Sequence, residues 1–158
     1  MLLSKALDIW LEEIEPLADV EGALPSIMFQ PPPARVNVNG GNCMGFSDSD
    51  GPLISMSCLL FHFSPTNDFI VYSIQFRWYH QKDDELVHSV GKKIIDRVEA
   101  TAKEMELHHP FIYMNYANIS QDVIGSYGEE NRNKLREVKK RYDPQGIWDN
   151  LWSGYYSV

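Results

Sequence analysis

Tyr113-Met114-Asn115-Tyr116-Ala117 brings two phenols and a carboxamide together within four residues, a grouping suited to proton transfer or hydrogen bonding. A phenol acts as acid, base or donor when its surroundings move its pKa from about 10. Read as a strand over Phe111–Ala117, the segment puts Phe111, Tyr113 and Asn115 on one face. Ile112, Met114 and Tyr116 then share the other. The competing reading is that both tyrosines are packing aromatics with satisfied hydroxyls. A second group lies on Phe69–Tyr79, where Ile70, Tyr72, Ile74, Phe76 and Trp78 share an apolar face suited to packing on helices. The opposite face carries Ser73, Gln75, Arg77 and Tyr79 beside Phe69 and Val71, a mixed polar and aromatic wall of the kind that lines small-molecule pockets. A solvated sheet face competes with that reading, and Arg77 can instead pair with a carboxylate. Gln30, after Phe29 at the end of a short strand, is a further pocket candidate, although such a residue often only caps backbone.

Other chemistry-bearing residues carry less. Cys43 and Cys58 match no common metal spacing and make no disulfide framework. Asp83-Asp84-Glu85 reads as a helix start, because no second ligand cluster accompanies it. Gly40-Gly41-Asn42 lacks the strand, third glycine and helix of a dinucleotide fingerprint. His62, His80, His88, His108 and His109 are read as structural. No metal is expected.

The elements that must position these groups follow from periodicity. Leu3, Leu7, Trp10 and Ile14 recur at helical spacing, with Pro16 as the stop. Ser26–Gln30 is a short strand closed by three prolines, and Asn37–Gly51 is loop. Leu53–Phe63 and Phe69–Tyr79 flank Ser64-Pro65-Thr66-Asn67-Asp68, which has hairpin turn chemistry. Asp83 or Asp84 caps a long helix with Leu86, Val90, Ile94, Val98 and Ala102 on a stride of four. Glu129–Arg141 is a helix presenting Leu135 and Val138, and Pro144 ends it by disfavouring helical geometry at Asp143. The expected fold class is α+β: an antiparallel sheet of about four to five strands with helices mainly on one face, in a single domain over 1–158.

The composition narrows the function classes. With 158 residues, 44% hydrophobic and 23% charged, the chain suits one globular domain. A net charge of -8 argues against nucleic-acid and anionic-membrane surfaces. Lys139-Lys140-Arg141 ends a helix, where it complements the macrodipole. No run reaches the roughly 20 apolar residues of a membrane span. The acidic residues from Asp8 to Glu15 do not fit a secretory signal, so a cytoplasmic location is expected.

The order and spacing of several motifs carry a resemblance. Glu13-Ile14-Glu15-Pro16-Leu17, Val20-Glu21-Gly22, Phe29-Gln30-Pro31, Gly40-Gly41-Asn42 and Asp50-Gly51-Pro52 come first. The 93–100 helix segment, Tyr113–Ala117, Ser126–Asn131 and Lys140–Pro144 follow. Together they resemble the C-terminal part of fungal berberine-bridge-enzyme-like, FAD-linked oxidases. There are two departures. Two apolar runs stand between Gly51 and Trp78 where the family has one, and Trp152-Ser153-Gly154-Tyr155-Tyr156 replaces the usual close.

The resemblance implies an antiparallel substrate domain backed by helices. It also implies that Tyr116 faces substrate near the flavin, often as a base, with Asn115 anchoring locally. The family attaches its flavin through a His, often with a Cys, in an N-terminal domain to which no segment here corresponds. The expectation is therefore a substrate-handling part without flavin, and no bound cofactor. Tyr116, from the resemblance, and Arg77 and Gln75, from the mixed face of Phe69–Tyr79, are the candidate catalytic residues. Gln30, Phe29, Tyr72, Ser73, Tyr113 and Asn115 are the candidate substrate contacts.

Three functions compete. The first is a cofactor-independent cyclase or isomerase, including a Diels–Alder-type pericyclase, acting on an apolar small molecule in fungal natural-product biosynthesis by orientation and charge stabilisation. The second is a part or subunit of an FAD-linked oxidoreductase; the third is a non-catalytic binding module. A homodimer is expected, because 4 Trp, 8 Tyr and 7 Phe exceed what one small core needs and aromatics suit interface centres.

Overall fold

The computed structural model describes residues 1–30, 54–55, 71–151, 156 and 158. The chain opens with helix α1, Leu2–Glu13, which buries Leu2, Ala6, Ile9 and Glu13. The expected stripe of Leu3, Leu7, Trp10 and Ile14 lies one residue round the helix. Leu3, Trp10 and Ile14 are half-buried and Leu7 is exposed. Two overlapping apolar stripes fit a helical period here, and tertiary packing selects the one that starts at Leu2. Pro16 sits in the first turn of a 3-10 helix, Glu15–Leu17, which turns the chain away.

Strand β1, Ser26–Gln30, pairs antiparallel with strand β3, Val71–Gln75, in the register Ser26 to Gln75 and Gln30 to Val71. The pairing continues past the strand ends, with the Leu24 amide donating to the Arg77 carbonyl at 2.9 Å and the Tyr79 amide to Glu21 at 3.3 Å. That approach dictates Gly22. Its φ is +75°, and a Cβ there would lie 2.6 Å from the Tyr79 ring. Two-residue strands β2, Ile54–Ser55, and β4, His108–His109, pair in parallel.

Helix α2, Asp84–Glu104, is the principal helix and buries Val87, Val90, Ile94, Val98 and Ala102. Val87 takes the place expected of Leu86, which is 39% exposed. This stripe packs with α1, Leu17, Val20 and Tyr72 into one core. A second, smaller core joins Phe111, Val123, Ile124 and Tyr127, with the Phe111 and Tyr127 rings stacked at 5.5 Å. It is built around the short helix α3, Val123–Ser126, whose first turn is capped by Asp122 accepting from the Gly125 amide. Helix α4, Glu129–Tyr142, has acidic residues in its first turn and Lys139, Lys140 and Arg141 in its last, matching the macrodipole at both ends. Leu135 on it packs against the second core, while Val138 is exposed. Helix α5, Ile147–Leu151, is the last described element.

The molecule is a mixture of helix and strand, as expected, but the sheet is smaller. Among the described residues the strands form two separate pairs, one antiparallel and one parallel, not a sheet of four to five. The expected Leu53–Phe63 strand, apart from Ile54–Ser55, and its turn lie outside the described residues, as do Asn37–Gly51, Cys43, Cys58 and His62. The expected strand over Phe111–Ala117 is instead extended backbone leading into a 3-10 turn, Met114–Tyr116. The cause is local. The Asn115 side chain donates to the Tyr113 hydroxyl at 2.8 Å and the Tyr116 amide donates to the Tyr113 carbonyl at 3.1 Å. The Tyr113 and Tyr116 rings meet edge-on at 5.1 Å. Such short-range bonding competes with ladder pairing, so the alternation expected of a strand does not apply there.

Candidate functional site

A groove of about 910 Å³ runs between α2, the end of β3 and the 112–121 segment. One wall is apolar: Ile74, Phe76 and Trp78, with Ile112 beside them. Ile74 lies within β3, and Phe76 and Trp78 continue its alternation past Gln75; the half-burial of all three shows them shared between core and groove. The second wall is α2, which offers Val87, Gly91 and Ile95 at the floor. It also offers His88, Lys92, Asp96 and Glu99 along a polar stripe spaced by roughly one helical turn. The third wall is the turn from Tyr116 to Gln121.

Each wall is held by identifiable contacts. The Trp78 indole N–H donates to Asp84 Oδ1 at 2.6 Å, which fixes the ring, and the ring meets His88 edge-on at 5.6 Å. Lys92 pairs with Asp96 at 2.5 Å. Glu99 takes Lys103 at 2.5 Å and stands 3.6 Å from His108 Nε2. Burial pushes the His108 imidazole below its ordinary range; Glu99 opposes that shift and Lys103 adds to it. The third wall ties itself together, because Gln121 Oε1 accepts from the Asn118 amide and Asn118 Oδ1 accepts from Ser120.

Tyr116 is the expected site residue that reaches this groove. Its hydroxyl donates to Gln30 Oε1 at 3.0 Å, joining the end of β1 to the 3-10 turn across 86 positions of sequence. Asn115 and Tyr113 complete a connected group beside it through their own hydrogen bond and the edge contact. The arrangement places a phenol on a largely apolar groove, with the Gln30 carboxamide hydrogen-bonded to it. It can orient a carbonyl or hydroxyl of a bound molecule.

The remaining expected residues lie elsewhere. Gln75 and Arg77 are exposed, and strand alternation points them away from Ile74, Phe76 and Trp78, which face the groove. Ser73 is buried, as is Tyr72, whose ring contacts Phe29 at 5.4 Å. Burial pushes the Tyr72 hydroxyl far above its ordinary range, so it stays protonated and is unsuited to act as a base. Trp78, expected only to pack on helices, lines the groove, as do His88, Lys92, Asp96 and Glu99, which the sequence did not single out as pocket residues. The signal for the last four was their stride along α2, which also describes an ordinary solvated helix face. No group of three or more His, Cys, Asp or Glu able to hold a metal occurs among the described residues. No described helix is long and apolar enough to cross a membrane.

Comparison with known proteins follows the same residues. Positions 112–152, which contain Tyr113, Asn115 and Tyr116, match the family described as berberine and berberine like. An FAD-dependent monooxygenase of Cochliobolus heterostrophus is 35% identical over 156 residues, covering 99% of this chain and 27% of that protein. An FAD-dependent monooxygenase of Fusarium proliferatum is 37% identical over 119 residues, 75% of this chain and 20% of its own length. A protein named oligopeptidase PhomG', from Diaporthe leptostromiformis, is 30% identical over 161 residues and is covered over 12% of its length. No solved structure matches. The chain thus spans little more than a quarter of these relatives at most. Tyr116 and its neighbours lie inside a berberine and berberine like domain match that occupies the C-terminal part of this chain.

Proposed function

We propose that the groove binds an apolar, ring-bearing small molecule, as the substrate-handling part of an FAD-linked oxidoreductase. The observation that carries this reading is Tyr116, hydrogen-bonded to Gln30, on a groove walled by Phe76, Trp78 and isoleucines. Apolar walls supply affinity through buried area, and a few convergent polar groups set orientation. The similarity to fungal FAD-dependent monooxygenases supports the same reading.

The described residues do not themselves suit the pyrophosphate of a flavin nucleotide. Lys92 is the groove's lysine, and it is already paired with Asp96, while Glu99 adds a second carboxylate. The start of α2 carries Asp83, Asp84 and Glu85, which oppose a phosphate at that helix N-terminus. The role assigned to this chain is accordingly to hold and orient the substrate.

A cofactor-independent cyclase or isomerase is the second reading. One observation favours it: a phenol stands on the groove wall, and if its hydroxyl turned from Gln30 Oε1 to a bound carbonyl it would polarise that group by hydrogen bonding alone. In that case Tyr116 takes alone the part expected of it with Gln75 or Arg77.

Titration with naphthol, followed by its own fluorescence, tests the binding site. Naphthol should bind saturably, and Tyr116→Phe should weaken it by about 2- to 10-fold, the equivalent of one lost hydrogen bond of roughly 0.5–1.5 kcal/mol. Absence of saturable binding, or equal affinity in Y116F, overturns the assignment. An absorbance spectrum of the same sample, alone and with free FAD, separates the two readings. Turnover of a candidate substrate without flavin favours the cyclase.

A further inference from the structure

Gly91 stands near the middle of α2, although glycine is among the least favourable residues in a helix interior. Its φ lies outside the left-handed region, so backbone conformation does not require it. Space does. A Cβ at this position would lie 3.2 Å from Phe76 Cε2 and 4.0 Å from Ile74 Cδ1. Val87 and Ile95, four residues before and after, flank Gly91 on the same strip of α2, and all three line the groove. Gly91 is therefore a notch between two larger side chains, and the edge of the Phe76 ring is seated in it.

We infer that the Phe76–Gly91 contact sets the width of the groove and thereby determines which ring-bearing ligands it accepts. Phe76 is both an occupant of the notch and part of the groove wall. Adding a methyl at position 91 requires the ring to give by a few tenths of an ångström, and the groove is the open side toward which it can move. Removing the ring opens the notch to the ligand instead. Interiors pack too densely for such a change to be absorbed without a neighbour moving. The inference rests on the proposed small-molecule role of the groove, and it names the residues that select among molecules of that class.

The test uses the full chain and two probes of different width, naphthol and hydroxypyrene. Gly91→Ala should weaken hydroxypyrene by about tenfold and naphthol by less than about twofold, while Phe76→Ala should shift the ratio the opposite way. The steric contact is measured separately by thermal unfolding of G91A, F76A and the double variant. Replacing a helix-interior glycine should raise Tm by about 2–4 °C in the F76A background, where the methyl has room, and by less in wild type. If F76A does not fold, Phe76→Leu, which lacks the ring edge that meets Gly91, takes its place.

An equal Tm gain in both backgrounds overturns the notch. A Tm difference with an unchanged probe ratio overturns its role in selection and leaves packing alone. Failure of both probes to bind wild type removes the small-molecule groove itself, and the selection role with it.

Discussion

Glu13→Gln tests how α2, which carries one wall of the groove, is held against α1. Glu13 ends α1 with its side chain only 9% exposed, and its carboxylate accepts from Lys93 at 2.8 Å and from Arg97. Arg97 also reaches Glu12 at 2.9 Å, so two acids of one helix grip two bases of the other. Gln keeps the shape and an accepting oxygen but removes the charge. Breaking a fully buried ion pair costs about 3–5 kcal/mol, and an exposed pair contributes about 0–1 kcal/mol. Here the carboxylate is buried while Lys93 and Arg97 remain 65% and 40% exposed. Both cations keep water after the substitution, and Arg97 keeps Glu12. The loss should therefore fall between those limits, at about 1–2 kcal/mol, after discounting for solvent screening.

For a chain of this size that corresponds to a fall in Tm of about 2–8 °C. The pH dependence identifies the charge as the cause. The Lys93 hydrogen bond, and Arg97 after it, hold the Glu13 carboxyl below its ordinary range, although burial pulls it upward. A carboxyl whose folded pKa is depressed stabilises the fold above its unfolded pKa, and that contribution disappears as pH falls through the folded value. The gap in Tm between wild type and E13Q should stand open at about pH 7 and narrow below about pH 4. Thermal unfolding followed by far-UV circular dichroism measures it. No gap at neutral pH, or one that persists unchanged in acid, refutes the clamp.

Two further outcomes follow from single side chains. Asp143 is buried, and its two carboxylate oxygens accept from the Ile147 and Trp148 amides at 2.7 and 2.9 Å. Asp143→Ala should cost about 0.5–2 kcal/mol and free those amides to exchange hydrogen faster; unchanged exchange would contradict the cap. Because burial raises the Tyr72 hydroxyl in the folded chain, its contribution to stability is whole below about pH 10 and is lost as pH rises further. Tyr72→Phe should make the alkaline fall in stability shallower by about 1.4 kcal/mol per pH unit, and identical slopes would show that Tyr72 ionises without unfolding.

The parts of the fold legible in the sequence are those in which one physical signal dominates. The stride Val90, Ile94, Val98, Ala102 identifies α2 because the core needs that face and solvent takes the rest. Pro144 correctly marks the end of α4 at Tyr142, since the residue before a proline avoids helical geometry. That reading did not extend to Asp143 itself, which ends one helix and caps the next. On α1 two apolar stripes overlap, so periodicity alone could not choose between Leu2 and Leu3. Around Tyr113, aromatic composition favours strand, while the Asn115 side chain and the Tyr113–Tyr116 edge contact favour a turn, and the local bonds win.

The candidate site was legible only in its polar tip. Tyr116, Tyr113, Asn115 and Gln30 come together as expected residues, but Gln30 meets Tyr116 through a tertiary contact that no local pattern contains. On β3, alternation separated the two faces correctly, yet it could not say which face the 112–121 segment would cover. That segment returns over Ile74, Phe76 and Trp78, so residues expected only to pack on helices also line the groove, while Gln75 and Arg77 stay exposed. The same return gives α2 two duties. Its Val87–Ala102 stripe holds the core, and its His88–Glu99 stripe, otherwise an ordinary solvated face, becomes a wall. A helix with both duties can position a ligand only if its rotation is fixed. The Glu13 clamp fixes it from the α1 side and the Phe76 ring, seated at Gly91, fixes it from the β3 side. Disturbing either contact should therefore be felt at the groove, even though Glu13 itself does not line it.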